Sequence, residues 1–226
     1  MNKIICFFVL SILISLISCR KENSEKIDQN EIWSEYSLIY RSDINSTFAR
    51  ARFLHQDNQG QNIKLSNKSS IRINDEIPYY NNTFAWYEKI ISGKESVVDF
   101  YYSDLDGKEY KNKVEILGGA ELPEIDSIYK DSLYYFPWEG DSLQDGEMVL
   151  LFIDGNLKNK LPYVLIDSVG KNGIFIEPDS LSALAVGDVT IHFERFNIQE
   201  ANSALDDLEH YSHYISRKKV VKLVVN

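Results

Sequence analysis

Apolar and polar residues alternate in short runs from residue 31 onward, and this alternation limits the possible folds of the chain more than any other feature. Successive side chains of a β-strand point to opposite faces, so the alternation indicates strands with one buried and one solvated face. The runs are rich in β-branched and aromatic residues and are separated by polar turns. The sequence therefore predicts an all-β fold.

The predicted strands fall into two groups with a break between them. Gly118-Gly119-Ala120 followed by Leu122-Pro123 is the expected boundary, because paired glycines and a proline end sheet pairing at little cost. We expect domains at residues 31–117 and 121–226. The strands are expected near 33–41, 46–54, 62–66, 69–74, 83–91, 96–103, 108–117, 124–130, 147–154, 160–168, 173–177, 188–197 and 217–225.

The strand count of each group resembles that of an immunoglobulin-like β-sandwich. Leu181 to Gly187 also resembles the turn that leads into strand F of such domains. The resemblance implies two immunoglobulin-like β-sandwich domains. Residues 199–215 are the exception, because Leu205, Leu208 and Ile215 follow helical spacing and predict a short helix.

The N-terminus has the pattern of an export signal. Met1 to Lys3 form a short basic region, and the apolar run from Ile4 to Ile17 is too short to span a bilayer comfortably. The following Leu16-Ile17-Ser18-Cys19 resembles the lipobox of bacterial lipoproteins, which implies cleavage after residue 18 and acylation of Cys19. We expect a signal peptide at 1–18 and a flexible tether at 19–30, rich in polar residues.

The same resemblance gives the expected location. A lipid on Cys19 would anchor the protein in a membrane, and two or three acyl chains make such attachment effectively permanent. The residues after Cys19 partly resemble the surface-export signal of Bacteroidota lipoproteins, so we expect the outer membrane, with the periplasmic or surface face left open. Cys6 lies in the signal, so we expect neither disulfides nor thiol chemistry in the mature protein.

Composition narrows the class of function. The net charge of −10 argues against nucleic acid as a partner, and 44% hydrophobic residues argue against disorder. The chain has no Gly-x-Ser-x-Gly, His-Glu-x-x-His or phosphate-binding glycine motif. Asp104 to Gly107 matches part of a calcium loop but lacks its first and twelfth ligands, which favours a hairpin turn. We expect no cofactor and favour a non-catalytic protein.

Three groups of side chains are candidate sites. On a helix, His210 and His213 would share a face with Asp206 and offer a metal site; on a strand the two rings would point to opposite faces. Arg50 and Arg52 form a basic stripe that either pairs with acids on neighbouring strands or receives an anion. The third group is a possible ligand surface, or else an inter-domain contact, made of Tyr134, Tyr135 and Trp138.

An Asp-Ser-aliphatic triplet recurs in the second half of the chain. It resembles the O-glycosylation sequon of Bacteroidota envelope proteins, although Asp-Ser is also common where turns lead into strands. The candidate glycosylated residues are Ser127, Ser132, Ser142, Ser168 and Ser180. Together these features predict a lipid-anchored envelope protein that binds or assembles with an unknown envelope protein or glycan. The alternatives are a surface glycan-binding module using residues 134–138, and a metal protein or hydrolase centred on His210 and His213.

Overall fold

The computed structural model of the protein describes residues 22–66, 68–155, 163–166, 168–200 and 208–225. Strands account for 55% of these residues, and their one α-helix is Pro178–Leu181 (α1). The predicted mostly-β fold is confirmed. The strands are β1 (Glu22–Asn23), β2 (Ile32–Arg41), β3 (Ser46–His55), β4 (Ile63–Lys64), β5 (Ser70–Ile73), β6 (Tyr79–Asn81), β7 (Trp86–Ser92), β8 (Val97–Ser103), β9 (Glu109–Glu115), β10 (Ser127–Tyr129), β11 (Tyr134–Pro137), β12 (Glu147–Asp154), β13 (Tyr163–Ile166), β14 (Gly173–Ile176), β15 (Gly187–Glu200), β16 (Leu208–Ile215) and β17 (Lys219–Val224).

Strand β3 shows how the alternation produces these elements. Ala49, Ala51 and Phe53 are fully buried, whereas Arg50 and Arg52 between them lie on the other face and are partly exposed. Burying a side chain as large as that of Phe53 contributes about 1.5–3 kcal/mol. This gain helps to offset the conformational entropy that the strand loses when it is ordered.

One large sheet of ten strands organises the molecule. The long strand β15 pairs with β12 along one edge, and β13 pairs with the far side of β12. Along its other edge, β15 pairs first with β17 and then with β16. The sheet continues beyond β16 through β2, β3, β7 and β6, and beyond β17 through β10.

Two smaller sheets cover one face of the large sheet and enclose two hydrophobic clusters. The first cluster lies under the β5-β8-β9 sheet, and its largest buried side chains include Tyr36, Phe53 and Phe100. The second cluster lies under the β11-β14 sheet and includes Phe136 and Phe193. The opposite face of the large sheet points away from both clusters.

The two clusters are separate, but the sheet beneath them is continuous. They divide in sequence between Ile116 and Ala120, except that Tyr214 of β16 belongs to the first cluster. Strand β16 pairs in parallel with β2 from Leu208 opposite Ser34 to Ile215 opposite Arg41. This pairing joins the first and last parts of the chain in one sheet. The division into domains at 31–117 and 121–226 therefore stays a prediction.

A buried ion pair contacts the predicted domain boundary at Gly118-Gly119. Arg195 and Glu147 have side chains that are 2% and 1% exposed, and Arg195 Nε donates to Glu147 Oε1 at 3.0 Å. Arg195 Nη1 also donates to the Gly119 carbonyl at 2.9 Å. A Cβ at residue 118 would lie 2.6 Å from Arg195 Cζ, so the guanidinium occupies space that only glycine leaves open.

The helix predicted at residues 199–215 does not form in the described part of that segment. Strand β15 extends to Glu200, and β16 occupies residues 208–215, while residues 201–207 lie outside the described residues. β16 is hydrogen-bonded on both edges, to β15 and to β2. Pairing with these distant strands overrides the helical spacing because local propensity is worth only tenths of a kcal/mol per residue, up to about 1 kcal/mol.

The flexible tether predicted at residues 19–30 is also corrected from residue 22 onward. Ile27 belongs to the first cluster, and Ser24 is fully buried. Two short 3-10 turns, at Ser24–Lys26 and Gln29–Glu31, connect β1 to β2. Because the segment is mostly polar, its composition does not indicate that Ser24 and Ile27 attach it to the fold.

The turn at Asp104 to Gly107 joins β8 and β9, as the sequence predicts. Asp104 Oδ1 accepts hydrogen bonds from the backbone N–H groups of Asp106 and Lys108, both at 2.9 Å. Gly107 takes a positive φ of 79°, which glycine adopts without strain. The Asp104 carboxylate therefore stabilises a turn.

Candidate functional site

The face of the large sheet that points away from both clusters is called here the open face. Its residues alternate with the buried residues of the same strands, and the strand registers place them side by side. They include Glu35, Ser37 and Ile39 of β2, Arg50 and Arg52 of β3, Trp86 and Glu88 of β7, Phe152 of β12, His192, Glu194 and Phe196 of β15, and Tyr211 and His213 of β16.

A groove of about 140 Å³ opens on this face where β16, β2, β3 and β7 run side by side. The groove forms because the large sheet is continuous. The sheet places Tyr211 of β16 and Trp86 of β7 on the same face, with β2 and β3 between them. The lining residues are Glu35, Ser37, Ile39, Arg50, Arg52, Trp86 and Tyr211.

Both arginines of the groove are paired with acids on neighbouring strands. Arg52 Nη2 lies 2.5 Å from Glu35 Oε2 on β2, and Arg50 Nε lies 2.5 Å from Glu88 Oε2 on β7. Of the two alternatives for the basic stripe, the structure shows cross-strand pairing. Two arginines and two glutamates leave the groove without net charge.

Aromatic contacts hold Trp86 at the rim of the groove. The Arg50 guanidinium lies over the Trp86 ring, 4.2 Å from its centroid. The Phe84 ring stacks with Trp86 at a centroid distance of 4.7 Å and an interplanar angle of 15°. A cation over an aromatic face is worth about 0.5–2 kcal/mol, so these contacts fix the indole without filling the groove.

Two hydrogen-bond donors of the groove residues have no acceptor. Arg52 Nε and Trp86 Nε1 are buried from solvent, and neither has a partner among the residues that the structure describes. A buried donor without a partner costs about 1–3 kcal/mol. Both atoms are closed to solvent in this structure, so an acceptor oxygen from a ligand reaches them only if the side chains shift.

A second polar cluster of the open face joins β15 to β16. Glu194 Oε1 lies 3.0 Å from His192 Nε2, and Glu194 Oε2 lies 3.1 Å from His213 Nε2. Burial raises the pKa of Glu194, but the hydrogen bonds with His192 and His213 outweigh that effect and hold the pKa at about 2. Each imidazole also stacks on a phenylalanine, His192 on Phe152 and His213 on Phe196.

The predicted metal-site residues are not brought together. On strand β16, His213 lies on the open face, whereas His210 lies on the opposite face with its ring 6.0 Å from that of Tyr36. Burial lowers the pKa of His210. Asp206 lies outside the described residues, and within those described no group of three His, Cys, Asp or Glu side chains forms a metal site.

The structure separates the three residues of the predicted ligand surface. Trp138 is 4% exposed, belongs to the second cluster and donates from Nε1 to the Asp141 carbonyl at 3.0 Å. Tyr134 is partly buried against the same cluster. Tyr135 is 43% exposed and pairs across strands with Phe175, which is 57% exposed.

The exposed aromatic pair is therefore Tyr135 with Phe175, a residue that sequence reasoning missed. Their centroids are 4.9 Å apart, and the rings are tilted by 46°. The Tyr135 hydroxyl donates to Asn172 Oδ1 at 2.9 Å. Gly173 makes room for the tyrosine ring, since a Cβ at residue 173 would lie 2.4 Å from it. Only the β11-β14 register reveals this pair.

The five candidate glycosylation residues differ in surroundings. Ser168 and Ser180 are exposed, whereas Ser127, Ser132 and Ser142 are partly buried. The aliphatic residues after three of them are buried in the second cluster: Ile128, Leu143 and Leu181. Those after Ser132 and Ser168 are exposed: Leu133 and Val169. Core packing thus accounts for the aliphatic position in three triplets, and modification stays a prediction.

Sequence comparison assigns no family to this chain. No protein-family model matches it, and no curated protein matches it. Within the described residues no helix is both long enough and apolar enough to cross a membrane. Cys19 lies outside those residues, so its lipidation stays a prediction from the sequence.

Proposed function

We propose that this protein is a lipid-anchored protein of the cell envelope, attached to the outer membrane through Cys19, and that it acts by binding rather than catalysis. The proposal includes an immunoglobulin-like organisation of the two halves. The groove on the open face is its binding site. The observation that carries the binding role is the groove itself, whose lining presents the partly exposed side chains of Glu35, Arg50 and Arg52 beside Trp86.

The size of the groove limits its ligand. Pockets for drug-sized ligands and cofactors usually enclose about 300–1,000 Å³, whereas a cavity of about 150 Å³ accepts a benzene molecule. The 140 Å³ groove therefore suits one six-membered ring or a side chain of that size. The ligand is expected to be one ring of a larger molecule that continues along the open face.

The chemistry of the groove further defines the ligand. The arginine and glutamate charges balance, so a neutral ligand costs no uncompensated charge. A hydroxyl group can accept from the partly exposed Arg52 guanidinium and donate to the Glu35 carboxylate, so it satisfies both kinds of partner. A neutral hydroxylated ring, such as one unit of a glycan, fits these requirements best.

The ion pairs also favour binding over catalysis. Arg50 and Arg52 hold the carboxylates of Glu88 and Glu35 in fixed positions. These carboxylates can then accept hydrogen bonds from a ligand and orient it. A nucleophile paired with a general base would indicate covalent chemistry, and the groove residues do not form such a pair.

The test is saturation-transfer NMR of the mature lipoprotein with neutral hexoses and N-acetylhexosamines, with a uronic acid as the charged comparison. Trp86→Phe removes the indole donor and keeps an aromatic ring, whereas Arg52→Met removes the whole guanidinium, including its pair with Glu35, and keeps the aliphatic part of the side chain. Each should weaken binding of a neutral probe about tenfold or more. Arg72→Met is the matched control, because Arg72 is paired with Glu109 on another sheet.

Three results would contradict the groove assignment. One is that no neutral probe binds to the wild type. Another is that Arg52→Met binds as well as the control. The third is that only the uronic acid binds, which would show an anion site instead of a neutral one.

A second candidate is the exposed Tyr135-Phe175 pair, which the fixed Tyr135 hydroxyl favours as a glycan-stacking surface. Substituting Tyr135→Ala and Phe175→Ala should abolish probe binding if this surface is the site and leave it intact if the groove is. The same NMR experiment therefore separates the two.

A further inference from the structure

The segment that follows the predicted anchor is fixed to the fold almost immediately. Glu22 N–H donates to the Asn62 carbonyl at 3.1 Å, and Glu22–Asn23 pairs in parallel with Ile63–Lys64. Ser24 is fully buried. Its hydroxyl lies 2.9 Å from the Ser69 hydroxyl and accepts from the backbone N–H of Ser66, also at 2.9 Å.

The next residues extend this attachment. Ile27 packs into the first cluster. Gln29 Nε2 donates to the carbonyls of Ser24 and Ile27, at 3.3 Å and 3.0 Å, while Gln29 Oε1 accepts from Leu105 N–H at 3.3 Å. Side chains and backbone groups thus hold residues 22–29 at several points, which is unlike a solvated linker.

His55 connects the two ends of this segment to the end of β3. His55 Nδ1 lies 3.2 Å from Glu22 Oε2, and His55 Nε2 lies 3.2 Å from Glu31 Oε2. The segment therefore starts and finishes at the same edge of the fold. That edge also carries β4 and the turn at residues 56–61.

Chain length then restricts the distance to the anchor. Cys19 precedes Glu22 by three residues. A fully extended chain covers at most about 3.6 Å per residue, so their Cα atoms are no more than about 11 Å apart. This distance is well below the size of the folded body, since β2 alone has ten residues and is about 30 Å long.

We infer that the lipid anchor seats the folded protein directly on the bilayer, with one defined surface against the headgroups. This seating surface consists of β1, β4 and the turn at residues 56–61. The inference rests on the proposed lipidation of Cys19.

The composition of the seating surface suits contact with headgroups rather than insertion. The exposed residues of its turn are polar: Gln56, Asp57, Asn58, Gln59 and Gln61. The net charge of −10 does not attract the protein to anionic lipid. Contact therefore depends on the short covalent connection.

Seating also places the groove near the membrane. Ile32 pairs with His55 at the seated end of the β2-β3 hairpin, and the Glu35-Arg52 pair lies three residues further along. At about 3.3 Å per residue, this end of the groove is about 10 Å from the seated edge. The ligand of the proposed groove would then be bound close to the bilayer surface.

The experiment measures energy transfer from a dye on the protein to acceptor-labelled lipid. The mature lipoprotein is reconstituted in phosphatidylethanolamine and phosphatidylglycerol vesicles, after its acyl mass is confirmed. One variant carries the dye at Asn58→Cys in the seated turn. The matched control carries it at Ile44→Cys, which is 49% exposed in the turn at the other end of the β2-β3 hairpin.

We expect clearly higher transfer from residue 58 than from residue 44. A 20-residue Gly-Ser insertion before Glu22 should remove this difference, because such a linker adds about 25 Å of reach. Equal transfer from both positions without the insertion would overturn the seating. Loss of the acyl mass would instead overturn the anchor, so the two failures are distinguishable.

Discussion

Removing Arg195 should destabilise the protein more than removing any exposed arginine. Its guanidinium donates to Gly119 and Asp141 carbonyls at 2.9 Å and 2.7 Å, and to the Ser142 carbonyl at 3.1 Å. It also forms the buried pair with Glu147. Arg195→Met keeps most of the volume but leaves the glutamate charge buried without its partner.

The expected cost follows from this geometry. Breaking a buried ion pair by removing one partner costs about 3–5 kcal/mol, because the remaining charge is not solvated. The three carbonyls that lose a donor place the effect toward the upper end of that range. For a chain of this length the melting temperature should fall by roughly 10 °C or more.

Urea unfolding of the mature lipoprotein in detergent, followed by tryptophan fluorescence, measures this cost. Arg195→Met/Glu147→Leu removes both charges and should recover about 2 kcal/mol or more relative to Arg195→Met. Glu147→Leu alone completes the cycle that gives the coupling of the pair. Arg72→Met, with its exposed partner Glu109, should cost less than about 1 kcal/mol. A cost below about 1 kcal/mol for Arg195→Met, or strictly additive effects in the double variant, would refute the reasoning.

Three further changes test other parts of the structure. Trp138→Ala should cost about 3–5 kcal/mol in urea unfolding because the ring is in the core, whereas Tyr135→Ala should cost far less. Gly118→Ala should destabilise by about 1–3 kcal/mol, since its Cβ would displace the Arg195 guanidinium. Glu194 has a folded pKa of about 2 against an ordinary 4.5, so its stabilising effect is present above pH 4.5 and declines toward pH 2. Between pH 5 and pH 2 the free energy of unfolding should fall by about 1–3 kcal/mol more in the wild type than in Glu194→Gln.

Sequence patterns predicted those parts of the fold that depend on neighbouring residues. The alternation of β3 placed Arg50 and Arg52 together on one face, and the structure shows that the alanines beside them are buried on the other. The Asp104 to Gly107 hairpin followed from turn chemistry, with a carboxylate that bonds local N–H groups and a glycine at positive φ. These features need no information about distant strands.

Long-range pairing was not predictable from the same patterns. Nothing near residues 208–215 indicates that they pair with residues 34–41, and this parallel pairing made β16 a strand. The groove depends on the same pairing, since only this pairing brings Tyr211 onto the face that carries Trp86. Burial of Trp138 beside exposed Tyr135 likewise depends on the β11-β14 register, because consecutive aromatics do not show which ring faces the core.

The measurement that tests the account most directly is intact-mass spectrometry of the native protein purified from its own host. We expect a mature chain that begins at Cys19 and carries the mass of two or three acyl chains, together with partition into the membrane fraction. The substitution Cys19→Ala should abolish both. A chain that begins elsewhere, or that lacks acyl mass and is found in the soluble fraction, would contradict the account.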